Sequence, residues 1–242
     1  MYKIPEEYKI NKNISINTFI VSSLKPNEKK RLKECLLSAA IEYQVSGEKI
    51  PSIIDDKCDC QVIIFIGIKV KNIKDAKFVS DTIQNMGKPF YVLRIYDSLG
   101  NECYSFAYKR LNFEDRTQVV VENIVVSKVT SNIFDDEVNR LIGVYAEFDK
   151  IINKFNKFSM YIEMMVKTYI ISNTYLWSKT EDLLSSKLWY NTDEVIKLFL
   201  KLKRIEELKK AQQSLRLVCD TSKINSELRK IYNEFDEIIT NS

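Results

Sequence analysis

The chain has 242 residues, of which 45% are hydrophobic and 29% charged, so it can fold around a sizeable core and is not intrinsically disordered. Its formal net charge is +4, and the excess lies in residues 1–130, which hold 20 lysine and arginine residues against 16 aspartate and glutamate residues. So small and diffuse an excess does not by itself imply a polyanionic partner.

The absence of histidine and the small number of glycines exclude several classes of catalytic and nucleotide-binding site. The chain contains no histidine, which excludes Ser-His-Asp and Cys-His nucleophilic sites, histidine general bases and histidine-ligated metals. Its five glycines form neither G-x-G-x-x-G nor G-x-x-x-x-G-K, so the common nucleotide-binding loops are absent. Catalysis by carboxylates or lysine stays open, but the sequence favours a protein without enzymatic activity and predicts no cofactor.

The cysteines indicate a reducing compartment. There are five of them, Cys35, Cys58, Cys60, Cys103 and Cys219, and the odd number does not suit a disulfide framework. Only Cys58 and Cys60 are close in sequence, and a C-x-C pair without further ligands makes a poor zinc site. We therefore expect five free thiols and no metal site.

The sequence also predicts a cytoplasmic location. The stretch from Met1 to Lys12 is charged and lacks the apolar core of a signal peptide. The most hydrophobic predicted helix, 158–177, carries Glu163 and Lys167 near its middle, which favours a helix buried in protein over a membrane span.

The first half predicts an α+β layer structure. Pro26 opens a predicted helix over 27–45, because apolar residues recur at helical spacing from Leu32 to Tyr43. The segment 61–70 is apolar on both faces, which is typical of a central strand in a covered sheet. A second helix is predicted over 73–86. We expect an antiparallel sheet covered by these helices, with strands at 61–70, 90–96, 103–110 and 118–129.

The second half predicts helices. A helical repeat begins after Asp135 and Asp136, a second helix follows, and a third spans 193–218. These patterns divide the chain into a sheet domain, 1–132, and a helical region of three to four helices, 133–242. The last helix carries a heptad seam too short for a free coiled coil, so we expect it to pack on another helix or on a partner chain, its own copy included. The seam residues are Ile224, Leu228, Ile231, Phe235 and Ile238.

Basic and aromatic side chains in the first half suggest contacts with nucleic acid. Four cations crowd the first turns of the helix that begins at Pro26. Two more end the predicted strand 103–110, which we expect to form a hairpin with the strand 90–96. The candidate phosphate contacts are Lys29, Lys30, Arg31, Lys33, Lys109 and Arg110. The same strand aligns Tyr104, Phe106 and Tyr108, which could stack on bases or simply belong to the core. The basic stretch from Lys197 to Lys210 could also contact phosphates or form an exposed helix face.

A third hypothesis is a metal-dependent nuclease. Such enzymes need an acid and then an acid-x-Lys motif on a strand, to hold magnesium beside a lysine. Asp55 or Asp56, followed by Asp75-Ala76-Lys77, has the required letters, but Asp75 to Lys77 falls in a helical pattern. The core strand 61–70 offers no carboxylate, so the sequence gives this activity little support.

Short motifs spread along most of the chain form a recognisable series. In order, they are Ile4-Pro5, Lys9-Ile10-Asn11-Lys12-Asn13-Ile14 with Phe19, Lys30-Arg31-Leu32 to Ile41-Glu42-Tyr43, Val45-Ser46-Gly47-Glu48-Lys49-Ile50, Lys88-Pro89-Phe90-Tyr91-Val92-Leu93, Phe106-Ala107-Tyr108-Lys109, Val144-Tyr145-Ala146-Glu147-Phe148 and Lys223-Ile224-Asn225-Ser226-Glu227-Leu228-Arg229-Lys230. With these motifs the chain resembles a bacterial family, the domain-of-unknown-function family 4391.

The resemblance implies a genomic context for the protein but no catalytic activity. No activity is established for the family, whose genes often lie beside Swi/Snf-type helicases and restriction-type methyltransferases. We therefore expect an accessory or interaction protein of a bacterial DNA restriction or phage-defence system. The alternatives are a nucleic-acid-binding module that uses the basic helix and hairpin aromatics, and the nuclease.

Overall fold

The computed structural model of the chain describes residues 2–131, 136–214 and 218–240, with side chains for all of these except 214, 218–221, 239 and 240. The chain divides into two compact units, residues 1–172 and 173–242. The first combines a β-sheet with helices, and the second is helical. The architecture is therefore α+β with a helical C-terminal region, as the sequence predicts.

A seven-stranded mixed sheet forms the centre of the first unit, and a separate two-stranded sheet accompanies it. The strands are β1 (Lys9–Ile14), β2 (Leu36–Val45), β3 (Ile53–Ile54), β4 (Asp59–Cys60), β5 (Ile63–Val70), β6 (Phe90–Tyr96), β7 (Asn101–Leu111), β8 (Val119–Val126) and β9 (Thr130–Ser131). Six lie side by side in the order β1-β2-β5-β6-β7-β8, and β9 pairs with β7. The small sheet consists of β3 and β4.

One strand pair corrects the predicted antiparallel sheet. β5 and β6 are parallel, with Ile66 opposite Leu93 and Gly67 opposite Arg94, whereas all other pairs described are antiparallel. The reason is the helix α2 (Ala76–Gln84) between them, since a helical crossover returns the chain to the edge where the previous strand began. Six of the eight β5 residues are buried, which confirms the predicted central strand.

The predicted helix over 27–45 is wrong in its second half. The helix α1 (Pro26–Cys35) ends where β2 begins, and β2 pairs with β1 on one side and β5 on the other. The pairing of β2 with β5 shifts between Leu36 and Ser38 and again between Ile41 and Tyr43. Each shift breaks the two-residue alternation of a strand, so the buried residues Leu36 and Ala39 fall at helical spacing.

Helices cover both faces of the sheet. On one face, Leu32 of α1 and Val79 of α2 pack against Ile66, Ile68 and Leu93 of the strands. Residues 90 and 92 alternate with these and lie on the other face. There Phe90 and Phe106 meet Tyr161 of α4 (Lys157–Ser172), with ring centroids 5.0 and 5.6 Å apart. The first unit also contains α3 (Glu137–Tyr145), at the position the helical repeat predicts.

The second unit consists of α5 (Thr180–Ser185), α6 (Thr192–Ser214), α7 (Val218–Thr240) and short 3-10 turns. α6 and α7 run antiparallel, since Arg204 pairs with Glu227 at 2.8 Å and Lys201 pairs with Glu234 at 2.7 Å. Among the seam residues, Leu228, Ile231 and Phe235 are buried, whereas Ile224 and Ile238 are half-buried. The described chain thus supplies a helix partner for the seam.

In the part of the chain that the structure describes, no helix combines the length and the apolar character that a membrane span requires.

Candidate functional site

The helix α1 presents its cations to solvent because its apolar side faces the core. Pro26 occupies its first turn, and the Glu28 carboxylate accepts a hydrogen bond from the Lys25 amide at 2.8 Å, which caps the start. Leu32 and Cys35 are buried. The four predicted phosphate contacts of this helix, Lys29, Lys30, Arg31 and Lys33, are exposed or half-buried.

A contact between α1 and α2 enlarges this basic area. The Arg31 guanidinium lies 2.8 Å from the Asp75 carboxylate and 4.2 Å above the centre of the Phe78 ring. The Lys71 amide donates to the carbonyl of Cys35 at 2.9 Å, so residues 71–77 lie beside α1. We call the resulting area the α1–α2 basic surface; it consists of Lys29, Lys30, Arg31, Lys33, Lys71, Lys74 and Lys77.

Most cations of this surface lack a neutralising partner. Arg31 pairs with Asp75, and Lys30 lies 4.0 Å from Glu34. The other five lysines have no carboxylate within 4.0 Å among the described residues. The basic stretch of α6 differs, since five of its six cations are ion-paired with carboxylates; these are Lys197, Lys201, Lys203, Arg204 and Lys210.

Sequence reasoning missed three members of the α1–α2 basic surface. Lys71, Lys74 and Lys77 lie about forty residues after α1, and the sequence does not show that Arg31 meets Asp75. A signal was present, because residues 69–77 contain four lysines and one acid just before a predicted helix. The ratio of lysines to acids in this segment indicates a second basic stretch in the half of the chain that holds the excess positive charge.

The structure corrects the placement of Lys109. Only 1% of this residue is exposed, and its ammonium group donates to the carbonyls of Gly87 and Pro89, both at 2.9 Å. Burial lowers its pKa to about 8. Lys109 is therefore an internal cation that fixes the connection between α2 and β6, and it cannot meet a phosphate at the surface.

Arg110 lies on β7 beside a carboxylate. Its Nε is 2.5 Å from Glu122 Oε1, and its guanidinium stacks 4.6 Å from the centre of the Phe113 ring. Side-chain exposure is 29%, so the group can meet solvent, but its charge already has a partner.

Two of the three hairpin aromatics belong to the core. Tyr104 is 4% exposed and packs edge-on against Tyr2, with centroids 4.7 Å apart. Phe106 is fully buried between Tyr2 and Tyr161. Their faces are thus covered by protein and leave no space for a base, whereas Tyr108 is half-buried.

The carboxylates of the nuclease hypothesis do not converge. Asp55 accepts backbone hydrogen bonds from Lys57 and Cys58, Asp56 pairs with Arg116, and Asp75 pairs with Arg31. In the ranges that the structure covers, no group of three or more Cys, Asp or Glu side chains could hold a metal ion. The geometry therefore offers no support for Asp75 and Lys77 as nuclease residues.

The described thiols are buried and free. Cys35, Cys58, Cys60 and Cys103 each have 5% exposure or less, and none forms a disulfide. Burial raises the pKa of Cys35 to about 11 and those of Cys60 and Cys103 to about 12, and it raises that of Cys58 as well. These thiols are poor nucleophiles at neutral pH. The side chain of Cys219 lies outside the described residues.

Comparisons with known proteins give one result. The model of a family described as a domain of unknown function (DUF4391) matches residues 3–235, nearly the whole chain. No curated protein matches the chain. No solved structure matches it either.

Proposed function

The chain belongs to the family of the domain of unknown function DUF4391, and we propose that it is a non-enzymatic accessory protein that binds nucleic acid. Its setting in this proposal is a bacterial DNA restriction or phage-defence system. The observation that supports the binding is the α1–α2 basic surface, on which five lysines lack a carboxylate partner within the described residues.

Unpaired surface lysines suit a phosphate backbone. Each phosphate that a cation neutralises releases condensed counterions, which favours binding at low salt and carries no sequence information. Arg31 is already held by Asp75 and Phe78, so it fixes the shape of the surface while the lysines supply the charge. The proposal therefore specifies electrostatic binding without base recognition.

Fluorescence anisotropy with a labelled 20-base-pair duplex tests this proposal. About four phosphate contacts give a slope near −3.6 in a plot of log affinity against log salt concentration. We expect similar affinities for duplexes of unrelated sequence. The absence of a complex at micromolar protein and low salt would contradict the proposal and leave a protein partner as the function.

A matched pair of variants locates the interface. Lys29→Ala, Lys33→Ala and Lys71→Ala together remove three unpaired charges from the α1–α2 basic surface and should flatten the slope by about 2.7. The control replaces Lys187, Lys223 and Lys230, which are exposed in the second unit, with alanine. Equal loss of affinity in both triple variants would assign the binding to net charge and not to the α1–α2 basic surface.

A further inference from the structure

A pocket of about 420 Å³ opens in the first unit, on the sheet face opposite α1 and α2. Arg94 lines it and alternates along β6 with Leu93 and Ile95, which pack in the core beneath the two helices. The pocket therefore lies on the other face from the α1–α2 basic surface. Its volume is in the range of small-ligand sites.

The floor of the pocket is a charged triad from three strands. Arg94 of β6 forms a two-point contact with Glu42, from Nε to Oε2 at 3.2 Å and from Nη2 to Oε1. Gly67 of β5 makes room for this contact, because a Cβ there would collide with the Glu42 carboxylate. On the other side, Glu102 Oε2 lies 3.5 Å from Arg94 Nη1.

Glu102 retains acceptor capacity. Its side chain is 6% exposed, and the 3.5 Å contact to Arg94 is its one side-chain hydrogen bond within the described residues. Such a contact is at the outer limit of a hydrogen bond. A buried carboxylate that accepts only one weak hydrogen bond can accept further hydrogen bonds from the N–H groups of a ligand.

The charges around the pocket leave an excess of one negative charge. Arg94 faces Glu42 and Glu102, while Lys3 at the rim pairs with the nearly buried Glu147 at 2.9 Å. Two cations thus stand against three carboxylates. A ligand with a single positive charge would restore neutrality, and a buried charge gains most when it is paired.

Aromatic rings and strained backbone complete the lining. Tyr2 and Tyr104 line the pocket with buried rings, whereas the half-buried Tyr43 offers a ring whose face can attract a cation. Lys3 and Asn11, both at the pocket, have φ values of 44° and 49°, in the left-handed region, which asparagine tolerates but lysine rarely adopts. Strain of this kind concentrates at ligand-binding positions.

We propose that this pocket binds a small organic monocation, a guanidinium or alkylammonium group whose N–H donors reach Glu102 and whose charge lies beside the ring of Tyr43. A guanidinium can use both acceptor oxygens of a carboxylate and stack on an aromatic ring. The site is independent of the nucleic-acid proposal, because it lies on the opposite face and uses none of the same residues.

Isothermal titration calorimetry of the full chain with butylguanidinium tests the site, with neutral butylurea as the matched ligand. We expect binding of butylguanidinium and affinity for butylurea weaker by about tenfold or more. Equal binding of both ligands, or binding of neither, would overturn the proposal. An N-acetyl-Gly-Arg-Gly amide, which carries a single positive charge, compared with butylguanidinium shows whether the cation is a peptide side chain or a free molecule; tighter binding of either supports a cation site.

Two variants assign the binding to the pocket. Glu102→Gln should weaken butylguanidinium binding by about tenfold or more, since it removes the excess charge. Glu48→Gln, at an exposed position of the same unit, is the control for the charge change and should bind as wild type. Tyr43→Ala, at a half-buried ring, provides a second variant should Glu102→Gln fail to fold, and should weaken binding by about fivefold. Unchanged affinity in a folded Glu102 variant, or in Tyr43→Ala, would refute the site.

Discussion

Lys109 shows how far a cation can be from the role that its sequence position suggests. Its ammonium group donates to the carbonyls of Gly87 and Pro89 and lies 5.0 Å from the centre of the Tyr91 ring. No carboxylate lies within 4.0 Å of it in the described chain. Burial without a counter-charge favours the neutral amine, which is why its pKa falls to about 8.

The stability of wild type relative to Lys109→Met should depend on pH. Lysine has a pKa of about 10.4 in the unfolded chain, so between pH 8 and pH 10.4 the unfolded state holds a proton that the folded state has lost. In that window wild type should gain about 1.4 kcal/mol per pH unit relative to the variant, and below pH 8 the difference should be constant. Urea unfolding of both proteins at pH 7, 8, 9 and 10 measures the difference, and a flat difference would show that Lys109 titrates normally.

Tyr104→Ala should affect stability and leave nucleic-acid binding alone. The ring is buried against Tyr2, so its removal should cost about 3 kcal/mol of unfolding free energy. Affinity for single-stranded DNA, corrected for the folded fraction, should match wild type. Tyr108→Ala, at a half-buried position of the same strand, is the comparison. Weaker binding by folded Tyr104→Ala alone would restore the stacking role.

At the scale of elements, the sequence predicted what local periodicity can express. The central strand β5, the helix α2, the hairpin of β6 and β7 and the C-terminal helices follow from apolar patterns and turn residues. β2 did not, because its two register shifts imitate helical spacing and only pairing with β1 and β5 selects the strand. The same holds for the candidate site. The cations from Lys29 to Lys33 could be predicted because they are close in sequence. Those from Lys71 to Lys77 could not, because they join the surface through the contact of Arg31 with Asp75, 44 residues away.

Phe235→Ala tests whether the heptad seam of α7 is satisfied within the chain. The ring is fully buried and lies 5.3 Å from that of Trp177, so truncation should cost about 3–5 kcal/mol. The control is Glu237→Ala, an exposed position two residues further on, which should change stability little. Light scattering after size exclusion should show the same mass for all three proteins. A smaller assembly for Phe235→Ala at unchanged stability would assign the seam to a partner chain.

The two units have nearly balanced charge but differ in how many of their cations are ion-paired. Residues 1–172 hold 25 lysine and arginine residues against 22 aspartate and glutamate residues, and residues 173–242 hold 12 against 11. The larger difference is in the use of these charges, because the cations of α6 are mostly ion-paired while most lysines of the α1–α2 basic surface are not. Exposed ion pairs contribute little stability, yet they remove charge from the field that a polyanion meets.

Hydrogen exchange with and without a DNA duplex should therefore show which of the two units contacts the DNA. We expect slower exchange on DNA binding in residues 26–35 and 71–84, where unpaired lysines meet the backbone of the duplex. Residues 192–214 should exchange at the same rate in both states, because Glu194, Glu206 and Glu207 already neutralise cations of that helix. Raising the salt concentration should abolish the protection, since released counterions drive the binding. Protection confined to α6 would place the nucleic-acid interface in the second unit and contradict the assignment to α1 and α2.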